Sequence, residues 1–256
     1  MKISITFLGT GTSQGVPVIA CDCEVCTSFN FKDKRLRSSV LINIDNKNFV
    51  IDTGPDFRHQ MLRENITEIE AILFTHKHKD HTAGLDDVRA FNFHLNKEID
   101  VFCDKSVKEA LKNEYSYIFS RFKYPGIPRI KINEIKNNVD FSINNIVFKP
   151  IQVFHHKLSI FGFRVGDFTY ITDAKIIPEA ETKKIIGSEI LVVNALRIQE
   201  HISHFNLKEA LNFIEIVKPK KAFLTHISHL MGQHIDVSKY LPKNVYLAYD
   251  GLKITL

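Results

Sequence analysis

The sequence predicts a layered α/β protein with strands inside and helices outside. Three observations predict it. Short β-like apolar runs recur from end to end, helical patterns lie between some of them, and no low-complexity linker, fixed-period repeat or composition break divides the chain. Residues 1–256 therefore read as a single domain. At 44% hydrophobic and 25% charged residues, 256 residues suffice to bury a large core without disulfides.

In chain order, strands are expected over Ile3–Leu8, Val40–Ile44, Asn48–Ile51, Ala71–Phe74, Ile99–Phe102, Asn145–Val153, Phe161–Val165, Phe168–Ile171, Ile190–Val193, Lys221–Leu224 and Val245–Ala248. Gly, Asn, Asp or Pro punctuates most of them. Helices are expected over Pro55–Glu64, Leu85–Leu95, Lys105–Phe119, Pro178–Ile186, Leu207–Val217 and His234–Tyr240. Asn206 reads as the cap of the helix at Leu207, because its short side chain can accept from the first turn. Asn46-Lys47 and Gly166-Asp167 read as hairpin turns between antiparallel strands.

Composition narrows the function. Lys and Arg number 34 against 29 Asp and Glu, a formal charge of +5 that suits an anionic substrate. No long basic block suggests a nucleic-acid tail, so nucleic acid is a disfavoured partner. No apolar stretch reaches the ~18 residues of a membrane span. The opening residues carry too short an apolar run for a signal peptide, so a cytoplasmic, reducing compartment is expected. There the four cysteines read as thiols or metal ligands. Twelve histidines are the count that stands out.

After the apolar run Ala71–Phe74 comes Thr75-His76-Lys77-His78-Lys79-Asp80-His81. Three imidazoles and a carboxylate leave the end of one strand, and both groups are ligands for Zn²⁺, Mn²⁺ or Fe²⁺. An extended backbone aims His76 and His78 at one ion, while Asp80 and His81 are displaced toward a second. Asp173, after Phe168–Ile171, reads on its own as a turn aspartate, but beside the other ligands as a carboxylate that could bridge two ions, and His226 leaves the strand Lys221–Leu224 in the same manner. Separately, Cys21-x-Cys23-x₂-Cys26 gathers three thiols that read as a structural Zn²⁺ site lacking one ligand. A redox pair is the alternative there. Cys103 reads as a buried small hydrophobe.

His76-x-His78-x-Asp80-His81 after a strand resembles the signature of the metallo-β-lactamase-fold hydrolases. Gly9-Thr10-Gly11-Thr12-Ser13-Gln14-Gly15, the cysteine cluster, Asp52-Thr53-Gly54-Pro55-Asp56, Thr172-Asp173-Ala174 and Thr225-His226-Ile227-Ser228-His229 are similar to one branch of that superfamily. That branch is the phosphoribosyl 1,2-cyclic phosphate phosphodiesterases of the carbon–phosphorus lyase pathway. The resemblance runs from about residue 3 to residue 251 and implies a four-layer αββα sandwich with a two-metal site at its edge. It implies His76, His78, His155 and Asp173 on one ion, and Asp80, His81, Asp173 and His226 on the other. The family's His-x-Lys-Leu pattern selects His155, with adjacent His156 as the alternative. His229 is implied as the fourth ligand of the cysteine site, and His204 as the catalytic histidine.

Two divalent ions, Mn²⁺ or Zn²⁺, and one structural Zn²⁺ are thus the expected cofactors. The expected reaction is hydrolysis of a small phosphodiester, possibly cyclic, by hydroxide held between two metals. Asp80 would orient that hydroxide, and His204 would protonate the leaving alkoxide. His201 reads more readily as a surface residue. Asp52 is either a partner for a metal-bound histidine or a strand-end aspartate. The Gly9–Gly15 loop lacks a Walker lysine and reads as a tight turn. Arg58, Arg89 and Arg197 could each grip phosphate; His59, His94 and His234 read as ordinary. Competing readings are a tRNA 3′-processing endoribonuclease, a pyrroloquinoline-quinone-biosynthesis-like protein and a non-catalytic zinc or redox module. A homodimer stays open.

Overall fold

Alternation in the first strand sets up the architecture: Ile3, Ile5 and Phe7 enter one apolar core while Leu8 enters another. The computed structural model describes residues 2–122 and 124–256. Along the chain come β1 (Ile3–Gly9), β2 (Ser39–Ile44), β3 (Lys47–Ile51), β4 (Ala71–Leu73), β5 (Ile99–Cys103) and β6 (Ile130–Glu134). Then follow β7 (Phe141–Ile143), β8 (Ile146–His155), β9 (Leu158–Val165), β10 (Phe168–Tyr170), β11 (Ile190–Asn194), β12 (Lys221–Thr225), β13 (Val245–Leu247) and β14 (Lys253–Thr255). One sheet has the order β14-β1-β2-β3-β4-β5-β6 and the other β13-β12-β11-β10-β9-β8-β7. Each is antiparallel on one side and parallel on the other.

The helices are α1 (Glu24–Thr27), α2 (Phe57–Arg63), α3 (Lys79–Thr82), α4 (Arg89–Leu95), α5 (Lys105–Glu114), α6 (Glu179–Ile185), α7 (Leu207–Val217) and α8 (His234–Ser238). Between the sheets, Ile5, Phe7 and Phe49 meet Phe148, Phe163 and Phe168; the Phe49 and Phe148 ring centroids are 5.3 Å apart. Outside the first sheet, Val50 and Ile72 pack with Phe57, Met61 and Leu111 of the helices. Outside the second, Leu191, Val193 and Leu224 pack with Ile185, Phe213 and Ile214. The result is a four-layer αββα sandwich, with both faces of each sheet buried. No helix among the described residues is long and apolar enough to cross a membrane.

Local chemistry explains the element ends. Asp45 and Asn46, with φ of 47° and 67°, make the β2–β3 hairpin, and Gly166 at 54° makes the β9–β10 turn. The Asn206 side chain accepts from the Glu209 amide at 2.8 Å, and Glu209 reaches back to the Asn206 amide at 2.9 Å. Asn206→Ala is expected to cost about 0.5–2 kcal/mol, read as a lower urea midpoint at unchanged m-value.

Some expectations are corrected. The stretch Lys105–Phe119 is not one helix: α5 ends at Glu114 and a 3₁₀ turn follows, which lets the Tyr115 hydroxyl donate to the Thr82 carbonyl at 3.0 Å. Leu85–Leu95 likewise splits into a 3₁₀ turn and α4. The strands β6, β7 and β14 were not anticipated. All three are outer strands of their sheets and keep polar residues at exposed positions, which weakens the apolar signal.

Candidate metal centre

The residues singled out by spacing converge at one edge of the sandwich, beyond the carboxyl ends of β3, β4, β8, β10 and β12. Parallel pairing of β3 with β4 places Asp52 beside the loop that opens at Thr75. The Asp52 carboxylate accepts from the Thr75 amide and hydroxyl, each at 2.8 Å. Asp52, Asp173 and His226 all hold left-handed backbone, with φ of 64°, 58° and 55°. Such conformations are costly for residues other than glycine and cluster where a site needs them. Gly54 explains how closely the loops nest: a Cβ there would lie 2.2 Å from the Asp80 carbonyl oxygen. At Gly9 it would lie 1.9 Å from the Arg37 carbonyl oxygen, in keeping with a tight turn.

The buried Asp173 carboxylate stands at the middle. Its Oδ1 is 3.1 Å from His226 Nε2, and its Oδ2 lies 3.4 Å from His81 Nε2 and 3.6 Å from His76 Nε2. Asp80 Oδ2 is 3.1 Å from His81 Nε2 and 3.7 Å from His226 Nε2. Asp80, His81, Asp173 and His226 thus present ligand atoms within 4.8 Å of one another. His76, His78 and His155 form a second group, with ring centroids 4.6 Å (76–78), 5.2 Å (78–155) and 5.9 Å (76–155) apart. His155 ends β8 and enters this cluster, whereas His156 is exposed in the following hairpin turn with φ of 54°.

The donor set fits divalent ions. Buried Nε2 atoms of His76, His81 and His226 have no hydrogen-bond partner among the described residues. Two of the Nδ1 atoms in these groups face acceptors: His81 Nδ1 lies 2.7 Å from Asp52, and His155 Nδ1 lies 2.9 and 3.1 Å from the carbonyls of Ser203 and Asp173. Because those partners only accept, each Nδ1 carries the proton and each Nε2 keeps its lone pair for a cation.

The electrostatics agree. Burial by itself would lower His81, yet Asp80, Asp173 and Asp52 raise it well above the usual histidine range. Burial would raise Asp173 and Asp80, yet His226 and His81 hold the first, and His81 and His226 the second, below the carboxylate range. Burial lowers His76 and raises Asp52. Carboxylates buried this closely around imidazoles make a pocket that favours positive charge.

His204 lies between the groups, its ring 4.5 Å from His155 and 4.8 Å from His226. Burial pushes it down to about 3, against the pull of Asp173, so it is uncharged near neutrality. His201 stands next to it, ring centroids 5.1 Å apart.

The cysteine cluster forms a separate site. The sulfurs of Cys21, Cys23 and Cys26 lie 3.3, 3.3 and 3.6 Å from His229 Nδ1. A hydrogen bond from the Cys26 amide lowers Cys23 to about 6, while burial raises Cys26 to about 11. Three sulfurs and one imidazole nitrogen fit tetrahedral Zn²⁺. The site joins the N-terminal loop to the segment bearing His226, and those segments also bond through the Ile227 amide and Thr10 carbonyl at 2.9 Å.

The remaining candidates are placed elsewhere. Cys103 is fully buried among apolar side chains. His59, His94 and Arg58 are exposed, and Arg89 pairs with Asp86 at 2.8 Å. His234 is buried beside Arg35, 3.3 Å from its guanidinium. Two positioning residues escaped sequence reading. Thr75 braces Asp52, and Asn194 pins the Asp173 loop through both polar groups of Ala174, at 2.7 and 3.0 Å. An amide at the end of an apolar strand gives no signal of its own; only the fold reveals its partner.

Comparison with known proteins accords with this geometry. Residues 47–227 match the Beta-lactamase superfamily domain. A crystal structure of a new diphosphatase from the PhnP family is 37% identical with a TM-score of 0.94, covering 100% of this chain and 98% of that one. Zn²⁺-bound PqqB from Methylobacterium extorquens, at 16% identity and a TM-score of 0.83 over 99% and 100% of the chains, shares the fold. An octanoyltransferase of Porphyromonas gingivalis is 36% identical over 248 residues, 96% of this chain and 50% of that protein. A ribonuclease Z of Nostoc is 26% identical over 171 residues, 64% and 47% of the two. The chain spans about half the length of the curated relatives it matches. On its fold and its matched domain, this chain belongs to the beta-lactamase superfamily, has the metallo-β-lactamase fold and is similar to the PhnP family.

Proposed function

We propose that this chain is a metal-dependent hydrolase, a phosphodiesterase acting on small phosphodiesters, cyclic ones included. The observation that carries the reading is the place of His204: a buried imidazole touching both histidine groups, where a leaving oxygen would need a proton. His76, His78, His155 and Asp173 would hold one divalent ion, and Asp80, His81, Asp173 and His226 the other. Such a pair supplies Lewis acidity toward the phosphoryl oxygens and makes a nucleophile from water near neutral pH.

The chain's own groups do the rest. Asp80, ionised because His81 and His226 face it, accepts a hydrogen bond from the attacking water and so orients it. Asp52 fixes the tautomer of His81, and the Ser203 carbonyl fixes that of His155. His204 is uncharged at rest, and its proton affinity rises when an anionic diester enters beside it. It then takes up, through solvent, the proton released from the attacking water and passes it to the leaving oxygen.

Mn²⁺ or Zn²⁺ suits the His/Asp groups, and Zn²⁺ the Cys₃His site, where it would tie two distant segments. Reduced thiols there are in keeping with a cytoplasmic setting. The PhnP-family diphosphatase supports chemistry at phosphorus, and its match over the full chain favours a small substrate over tRNA. Protein stripped of metal and reloaded with Mn²⁺ or Zn²⁺ is expected to hydrolyse bis(4-nitrophenyl) phosphate and a cyclic phosphodiester. Absence of turnover with either ion contradicts the reading.

A further inference from the structure

Where the two sheets end at β13 and β14, a cleft of about 400 Å³ opens, walled in part by Lys32, Phe223, His234, Leu247, Tyr249 and Leu252. It shares no lining residue with the metal centre or with the cysteine cluster. Its apolar floor continues the core between the sheets, to which Phe223 belongs and against which Leu252 packs. No carboxylate side chain lines it.

The buried polar group of the cleft is His234, only 8% exposed. Arg35 lies buried behind it, with Nη2 3.3 Å from His234 Nδ1. A guanidinium can only donate, so Nδ1 accepts. Burial, with Arg35 and Lys32 nearby, lowers His234 to about 4, so the ring is uncharged near neutrality and its proton sits on Nε2. That nitrogen lies across the ring from Arg35 and has no partner among the described residues. The arrangement is held from behind, because Arg35 Nη1 donates to the Thr10 hydroxyl at 2.7 Å and to the Ala248 carbonyl at 2.6 Å. Asp33, the carboxylate adjoining His234, is spent on the His234 amide and the Ser28 hydroxyl, each at 2.7 Å. Lys32 brings an ammonium to the same cleft. Its Nζ lies 4.6 Å from the centre of the Tyr249 ring and makes no ion pair among the described residues. The Tyr249 ring meets that of His234 edge-on, with centroids 5.8 Å apart.

We propose that this cleft is a binding site for a small carboxylate with an apolar body, held by the His234 Nε2–H and the Lys32 ammonium. Two donors from separate side chains match the two oxygens of one carboxylate. Phe223, Leu247 and Leu252 suit a ring or a short alkyl chain. Small-molecule sites commonly measure about 300–1,000 Å³ and combine apolar walls with a few placed polar groups, which this cleft does. The site takes no part in phosphodiester hydrolysis, so it stands or falls apart from that reading.

The test titrates 4-propylbenzoate and the neutral 4-propylbenzamide into the metal-loaded protein by calorimetry. The anion is expected to bind about tenfold or more tightly than the amide, the size of one charge-assisted hydrogen bond. Lys32→Gln and His234→Phe are each expected to bring that ratio within about threefold, with urea unfolding as the check that each variant is folded. Should His234→Phe fail to fold, Lys32→Gln alone decides. Equal binding of anion and amide by the wild type overturns the site, as does the absence of binding. Variants that keep the wild-type ratio overturn it too, and that is the result that carboxylate binding at the metal centre would give.

Discussion

His204→Ala is expected to lower kcat on a small phosphodiester by about 10²–10⁴-fold, the usual worth of a positioned acid, while metal content stays at the wild-type level. The split follows from geometry. The His204 ring stacks on that of His226 and is tilted by 52° against that of His155, its ligand nitrogen lies within 4.8 Å of those of His155 and Asp173, and its buried Nδ1 has no partner among the described residues. Removing it takes away a proton donor but none of the Asp80–His81–Asp173–His226 or His76–His78–His155 groups. The loss should be largest for poor leaving groups and small for 4-nitrophenolate, which departs without a proton. Comparing alkyl with nitrophenyl esters therefore separates an acid from a structural ring. Loss of metal along with activity, or a uniform loss across leaving groups, contradicts the role.

Asp173→Asn should have the larger effect on the metals themselves. One carboxylate oxygen faces His226 and the other faces His76 and His81, so this side chain is the shared member of both groups. An amide keeps the shape but gives up the charge and one acceptor. The expected result is loss of at least one divalent ion per chain and a fall in turnover of about 10³-fold or more, the several kcal/mol that a metal's charge contributes. Metal analysis and turnover on the same sample check it. Full occupancy with near-normal rates would mean that Asp173 bridges nothing.

The fold was legible where one periodicity dominates. The first-strand alternation, the β2–β3 hairpin (expected at Asn46-Lys47, one residue past the observed Asp45-Asn46 turn) and the Asn206 cap each act within a few residues, and their physics is local. The outer strands β6 and β14 were not, because half-exposed positions mix polar and apolar residues. The site divides the same way. His76, His78, Asp80 and His81 stand together in the chain, so their chemistry could be read from spacing. His155, Asp173, His226 and His229 are brought in by pairing of strands far apart in sequence, and it was the family resemblance that drew His155 and His229 into their groups. The braces Thr75 and Asn194 act on groups twenty or so residues away in the chain and carry no pattern of their own in the sequence.

The central claim is that one chain builds two chemically distinct metal sites, one reactive and one structural. Counting zinc and manganese per chain by mass spectrometry, in the wild type, Asp173→Asn and Cys23→Ser, tests it most directly. Three ions are predicted for the reloaded wild type. Asp173→Asn should keep the zinc held by Cys21, Cys23, Cys26 and His229, and Cys23→Ser should lose that zinc while the folded fraction keeps the two ions at the His/Asp groups. A wild type that binds fewer than two ions, or a single substitution that empties both sites in a protein still folded, would contradict the account.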